Sequence, residues 1–309
     1  MNKINVLVIV GPTASGKTKL SIELAKVFDG EIISADSMQI YKQMNIGTAK
    51  PTPSELKEVP HHLVDFLNVN ETFSVADYVY LAKNKIIDIN LRNKLPIICG
   101  GTGLYVDSLI NNVNFQKENS NLLIREKLNE IYQNHGIEPL LKRLSSIDKE
   151  SFFRIHPSNV KRIIRAIEIY ETTGITMTEQ IKNSKAIESP YNPIFIGLDF
   201  KNRDILYSRI NKRVDLMIEN GLLDEAQKIL NGNCSATAKE AICYKEFIPF
   251  FNGECTLDCA IENLKRATRR YAKRQRTWFK KNTRINWVFV DEYDDFEDFL
   301  KNCTKHIDF

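Results

Sequence analysis

Residues 6–18 read VLVIVGPTASGKT, and the last eight letters satisfy G-x-x-x-x-G-K-[ST]. No other feature limits the fold as much, because the motif works only between a strand and a helix. Val6 to Val10 form the β-branched run of a buried parallel strand. After the loop, Leu20, Leu24, Val27 and Phe28 recur at helical spacing. The loop itself, Gly11, Pro12, Thr13, Ala14, Ser15, Gly16, Lys17 and Thr18, is expected to curl its N–H groups inward around a diphosphate or a nucleotide phosphate such as that of ATP. The helix N-terminus adds partial positive charge, Lys17 a full charge, and Thr18 a hydroxyl suited to Mg²⁺.

Further short apolar runs read as parallel strands: Glu31 to Ala35, Leu95 to Cys99, Ile194 to Leu198 and Trp287 to Val290. Most precede helical stretches, which predicts an α/β fold, a P-loop NTPase-like parallel sheet core. Strand patterns vanish between Asn111 and about Pro190. There NLLIREKLNEIYQNHG and NVKRIIRAIEIYETTG each end on a glycine stop. The expected organisation is a core of residues 1–112 and 190–309, split by a helical insertion domain at 113–189. Helices are further expected over Arg203 to Asn220, stopped by Gly221, over Leu222 to Leu230, and over Leu257 to about Asn282.

Composition excludes several classes. No apolar run approaches the ~20 residues of a membrane span. The short apolar run after Lys3 leads directly into the phosphate loop and reads as a strand, not a signal peptide. The six cysteines show no C-x-x-C and no zinc spacing, as expected of free thiols in a cytoplasmic protein. The net charge of +4 conceals an asymmetry: residues 265–284, KRATRRYAKRQRTWFKKNTR, hold ten Lys or Arg and no acid. The rest of the chain is therefore net acidic, and the basic segment calls for a polyanion, nucleic acid first. Leu264, Ala267, Tyr271 and Trp278 read as its buried stripe. Arg266, Arg269, Arg270, Lys273, Arg274 and Lys280 read as exposed.

In an open α/β sheet, ligands gather beyond the carboxyl ends of the strands. Those ends carry the phosphate loop, Asp36 with Ser37, the run CGGTGLY with Gly100, Gly101, Thr102 and Gly103, and Asp199; the four are expected to converge. Position alone leaves Asp36 equally a general base or a Mg²⁺ ligand, with helix capping the structural alternative. GGTGLY lacks the third glycine of a dinucleotide site, since Val106 stands there; its glycines instead suit close approach of a ligand or another backbone. PHHLVD could hold a metal through His61, His62 and Asp65, but adjacent histidines point apart, which favours packing or hydrogen bonding. Arg209, Arg213 and Asp215 share a helix. Arg213 is placed to reach a phosphate, since residues two apart on a helix do not face each other. In VKRIIRA, Ile163, Ile164 and Ile167 face a core while Lys161, Arg162 and Arg165 face out.

Together these stretches closely resemble the tRNA dimethylallyltransferases, also called tRNA isopentenyltransferases. They are GPTASGKT, DSMQIYKQMNIGTAKP, PHHLVD, GGTGLY, RIHPSNVKRIIRAIEIYETTG, RVDLMIENGLLDEA, YKE and ATRRYAKRQRTWF, in the family's order from residue 11 to 279. The lack of the zinc finger that eukaryotic members carry points to the bacterial type. The resemblance implies transfer of a dimethylallyl group from dimethylallyl diphosphate to the exocyclic amine of the adenosine just 3′ of the anticodon, with release of diphosphate. It implies a Mg²⁺-dependent prenyltransferase of tRNA modification, taken here as a monomer, whose partner is the anticodon stem-loop. It makes Asp36 the base, has Thr102 position the substrate, and gives Arg213 to the diphosphate. It places tRNA contacts on Asp36, Ser37, Met38, Gln39, Thr102, Arg125, Lys161, Arg162, Ile163, Ile164 and Arg165. The basic segment adds Arg269, Arg270, Lys273 and Arg274. Where members often have Asp-Pro, this chain has Asp148-Lys149, which bears on loop geometry in the insertion. The competing readings are an adenylate isopentenyltransferase, a small-molecule P-loop kinase and a non-catalytic RNA-binding module.

Overall fold

A computed structural model describes residues 3–115, 122–184 and 188–309. Asn121, where the first helical stretch of the insertion was expected to begin, lies outside them. Among the described residues, six parallel strands form one sheet: β1 (Ile4–Val10), β2 (Gly30–Ser34), β3 (His61–His62), β4 (Leu95–Gly100), β5 (Tyr191–Asp199) and β6 (Ile285–Phe289). Their order is β3-β2-β4-β1-β5-β6. β1 is central, with Val10 in register with Gly100 on one side and Gly197 on the other. Residues Val6 to Val10 are fully buried, as a strand covered on both faces must be.

Two expectations shift. The last strand begins at Ile285 rather than Trp287, because Ile285 is the buried residue that pairs with Phe195. PHHLVD contributes a short edge strand, invisible to a pattern search because only two residues pair with β2.

The chain divides into two compact units, Met1–Ile110 with Pro190–Phe309, and Asn111–Ser189. In the first, the helix Lys17–Val27 packs against the sheet together with the C-terminal helix Phe296–Thr304, around Leu20, Leu24, Ile97 and Phe299. The helices Arg203–Glu219, Leu222–Asn231 and Leu257–Phe279 share another core around Val214, Leu222, Tyr244, Phe247 and Leu264. Gly221, at φ 94°, separates the first two of these, a conformation that an L side chain resists. Thr256 caps the 23-residue basic helix by accepting the Cys259 N–H.

The second unit is helical among its described residues. Its core holds Leu140, Leu144, Ile163, Ile164 and Ile167. Asp148 caps the helix Lys149–Arg154, taking the Ser151 N–H at 2.9 Å and the Thr178 N–H at 3.0 Å. Lys149 is the first helical residue, a position that proline also suits, so the departure from Asp-Pro preserves the helix start.

Candidate active site

The phosphate loop is curled by three residues of positive φ: Gly11 at 149°, Ala14 at 64° and Gly16 at 92°. Among the described residues, the N–H groups of Ala14, Ser15 and Gly16 carry no hydrogen bond to protein. With the free N–H groups of the following helix's first turn, they form an anion-binding nest. The loop is braced from behind. Arg209 Nε donates to the Ala14 carbonyl at 3.0 Å, and Lys17 Nζ donates to the Pro12 carbonyl at 2.7 Å. Burial lowers the Lys17 ammonium to about 8; Arg213 pushes the same way, while Cys99 and Asp36 oppose.

A cavity of about 350 Å³ opens over this loop. Thr13, Lys17 and Thr18 line it, with Asp36, Ser37, Met38 and Gln39 from the end of β2 and Gly100 and Gly101 from β4. Arg213 enters from the helix Arg203–Glu219, and Tyr271 and Arg274 from the basic helix. Desolvation lowers the Arg213 pKa, which makes an anion in the cavity favourable to it. Asp215 pairs instead with Lys265 at 2.7 Å, consistent with its pointing away from Arg213.

Asp36 Oδ1 accepts the N–H groups of Met38 at 2.9 Å and Gln39 at 3.3 Å, so one oxygen caps the following turn. Its Oδ2 has no protein hydrogen bond among the described residues and is available to a ligand. Thr102 lies beside the cavity wall, its hydroxyl in reach of Tyr271. Its hydroxyl accepts the Ser37 N–H at 3.0 Å and donates to Ser37 Oγ at 3.3 Å, which holds the Asp36–Ser37 turn from behind.

Several expectations need correction. Asp199 does not join the cavity. It is buried and faces Arg276 Nε, 3.0 Å from Oδ2, so its charge ties the basic helix to the end of β5. The basic helix accordingly has acidic partners, drawn from elsewhere in the chain. Its buried face is also rotated from the expected stripe: Ala260, Leu264, Ala272, Gln275 and Phe279 are buried, whereas Trp278 is 40% exposed. Trp278 donates to Asp107 at 2.6 Å, which keeps its indole edge at the surface. Arg269 is partly buried on Asn211 at 2.6 Å, leaving Arg270, Lys273 and Arg274 exposed. In the insertion, Ile163 and Ile164 are core residues, so their side chains are not open to RNA. Arg125 and Arg165 both engage the buried Glu168, at 2.9 and 3.2 Å, while Lys161 and Arg162 are exposed. The histidines of PHHLVD are bonded to protein: His62 Nε2 lies 2.8 Å from Glu31 and His61 Nδ1 2.8 Å from the Val59 carbonyl. Asp65 pairs with Lys50. No group of three metal-binding side chains occurs among the described residues.

Two features escaped the sequence reading. Glu225 accepts the backbone N–H groups of Asn45, Ile46 and Gly47, at 2.9, 2.9 and 2.8 Å, and so fixes a loop in the cavity wall. Gln39 holds the next part of that loop by donating to the Thr48 and Ala49 carbonyls. The second is Gln275, whose side chain is buried although its neighbours on the basic helix are cations. An acid at Glu225 carries no local signal, because its partners lie about 180 residues away.

The IPP transferase family model matches residues 39–282. The chain is 48% identical to the tRNA dimethylallyltransferase of Thermoanaerobacter sp. (strain X514), over 98% of each chain. It is 46% identical to that of Bacillus subtilis (strain 168), over 98% of this chain and 96% of the relative. Among solved structures, the full-length tRNA isopentenylpyrophosphate transferase of Bacillus halodurans superposes with a TM-score of 0.73 at 44% identity, covering 98% of this chain and 95% of that one. A eukaryotic dimethylallyltransferase acting on tRNA gives 0.80 at 30% identity, covering 97% and 77%. With the sheet, the phosphate loop and the cavity already in place, these matches along nearly the whole chain show that it belongs to the IPP transferase family.

Proposed function

We propose that this chain is a tRNA dimethylallyltransferase. It moves a dimethylallyl group from dimethylallyl diphosphate to the exocyclic amine of the adenosine 3′-adjacent to the anticodon and releases diphosphate. The observation that carries this reading is the meeting, in one cavity, of the phosphate loop, Asp36, and two residues of the basic helix, Tyr271 and Arg274. A small-molecule phosphotransferase has no need of a helix this dense in cations beside its site.

The amine lone pair attacks the allylic carbon as the bond from that carbon to the diphosphate oxygen breaks. Negative charge develops on the leaving diphosphate, where the loop N–H groups, Lys17 and Arg213 stabilise it. Asp36 Oδ2 takes the proton from the amine, a contribution of roughly 10²- to 10⁴-fold. Thr102 acts through Ser37 as a positioning residue. The adenine must leave the anticodon-loop stack, at a cost of a few kcal/mol. Thr18 offers a hydroxyl oxygen on the same cavity, which fits Mg²⁺ held by one protein oxygen plus phosphate and water. The metal, when bound, would neutralise charge on the diphosphate. Arg270 and Lys273 outside the cavity, and Arg274 at its wall, face the RNA phosphates, with Lys161 and Arg162 of the insertion as further contacts. No helix among the described residues is long and apolar enough to cross a membrane; we read the enzyme as a cytoplasmic monomer.

The test is transfer of labelled prenyl, with Mg²⁺, to an anticodon stem-loop carrying that adenosine, alongside free AMP. Label on the stem-loop alone is expected. Label on AMP alone would make it an adenylate isopentenyltransferase, and ATP consumption with neither labelled would make it a kinase.

A further inference from the structure

Gln275 lies on the basic helix between Arg274, which lines the cavity, and Arg276, which pairs with Asp199. Its amide is buried and reaches two loops at once. Oε1 accepts the Thr13 N–H at 2.8 Å, and Nε2 donates to the Gly101 carbonyl at 3.0 Å. The two bonds are complementary and admit one amide orientation, since the reverse would face donor with donor and acceptor with acceptor. The loop after β4 is shaped to receive this side chain: a Cβ on Gly101 would sit 2.1 Å from Nε2.

Thr13 immediately precedes Ala14, where the phosphate loop turns to positive φ and its N–H groups become free for an anion. Holding Thr13 therefore sets the start of the nest. The same helix presents Arg270, Lys273 and Arg274, on neighbouring turns, to solvent. A helix is stiff over this distance, so force applied at its cations reaches Thr13 through the buried Gln275 amide, beside the packing of Ala272 near Ala14.

We propose that Gln275 is a positioning residue that locks the phosphate loop to the basic helix, so that binding of diphosphate and of RNA are energetically coupled. The coupling, unlike the positioning, rests on the RNA-prenylating reading above. Such coupling is reciprocal: RNA that steadies the helix tightens the nest, and diphosphate in the nest steadies the helix.

The experiment titrates inorganic diphosphate with Mg²⁺ into the full chain, with and without saturating anticodon stem-loop, for wild type and Gln275→Leu. Gln275→Met, unbranched and of similar length, replaces Leu if that variant does not fold. Stem-loop should tighten diphosphate binding in wild type by about fivefold or more. Gln275→Leu should bind diphosphate about tenfold more weakly and lose the stem-loop effect, because a buried N–H and a carbonyl lose their partners. Its affinity for stem-loop alone should stay within about twofold, since no RNA-facing cation is altered. Unchanged diphosphate affinity in the variant, or wild-type coupling retained in it, would overturn the proposal. So would an equal loss of stem-loop binding, which would reduce Gln275 to packing. If wild type does not prenylate the stem-loop, the functional reading fails and the coupling with it, while the diphosphate titration alone still decides whether Gln275 positions the loop.

Discussion

Tyr244 donates its hydroxyl hydrogen to Glu225 Oε1 at 2.9 Å, and the same carboxylate takes three successive backbone N–H groups of the loop Asn45–Gly47. The loop lines the cavity at Gly47, Thr48 and Ala49. One side chain thus connects the cavity wall to the core around Tyr244 and Phe247. Glu225→Ala leaves three N–H donors without an acceptor and should cost about 2–4 kcal/mol of stability. Tyr244→Phe keeps the carboxylate on the backbone and should cost about 1 kcal/mol. Urea unfolding midpoints compare the two.

Asp36 combines two tasks in one carboxylate, which allows them to be separated. Asp36→Asn keeps an oxygen for the Met38 and Gln39 N–H groups but removes the base. The turnover number should fall by roughly 10²- to 10⁴-fold, with stem-loop affinity and thermal midpoint little changed. Steady-state kinetics with a binding assay decide it; equal loss of binding and turnover would remove Asp36 from the chemistry.

Lys17 makes diphosphate binding depend on pH. Its folded-state pKa of about 8 lies below the ordinary 10.5, so between these values the unfolded chain holds the proton and the folded chain does not. For this group, stability rises with pH through that window and the strain of the buried charge is present below it. Diphosphate requires the charged form, so its binding at pH 9 should take up a proton. Calorimetry in buffers of different ionisation enthalpy should show more uptake in wild type than in Lys17→Met.

Glu31 is held at about 2, first by the Arg92 guanidinium and then by His62, although its own burial opposes this. Its contribution is present above pH 4.5 and is lost as pH falls from there towards 2. It amounts to no more than about 2–3 kcal/mol, since Arg92 is partly exposed. Glu31→Gln should flatten the acid limb of unfolding free energy against pH.

Arg270 and Lys273 are exposed, whereas Arg269 is tied to Asn211. Charge reversal at Arg270 and Lys273 should weaken stem-loop binding. It should also lower the slope of log affinity against log salt by roughly 0.7–0.9 for each RNA phosphate no longer neutralised. Arg269→Ala should change the slope less and the stability more.

The parts of the molecule legible in the sequence are those with local physical signatures. A β-branched run followed by GPTASGKT specifies strand, loop and helix within a few turns of chain. Glycines at 136, 174 and 221 mark helix ends because their φ values, 73°, 71° and 94°, exclude most other residues. The placing of Lys17, Thr18, Asp36 and Gly101 around one cavity follows from the rule that parallel strands present their carboxyl ends to a common edge. The two-residue strand at His61 and His62 was not legible, because its pairing to β2 leaves no period to detect.

Tertiary structure decided which polar side chains serve the cavity and which serve the frame. Asp36 follows β2 and Asp199 ends β5, yet Arg276 neutralises only Asp199. Arg269, Arg270, Lys273, Gln275 and Arg276 read alike as a polar helix. A rotation of its buried face sends Gln275 to the phosphate loop and Arg276 to the sheet while Arg270 and Lys273 stay in solvent. Sequence by itself determined the elements and the chemistry available, because backbone conformation responds to near neighbours. Only packing determined these assignments, because their partners lie as far as 262 residues away and nothing local in the chain brings such groups together.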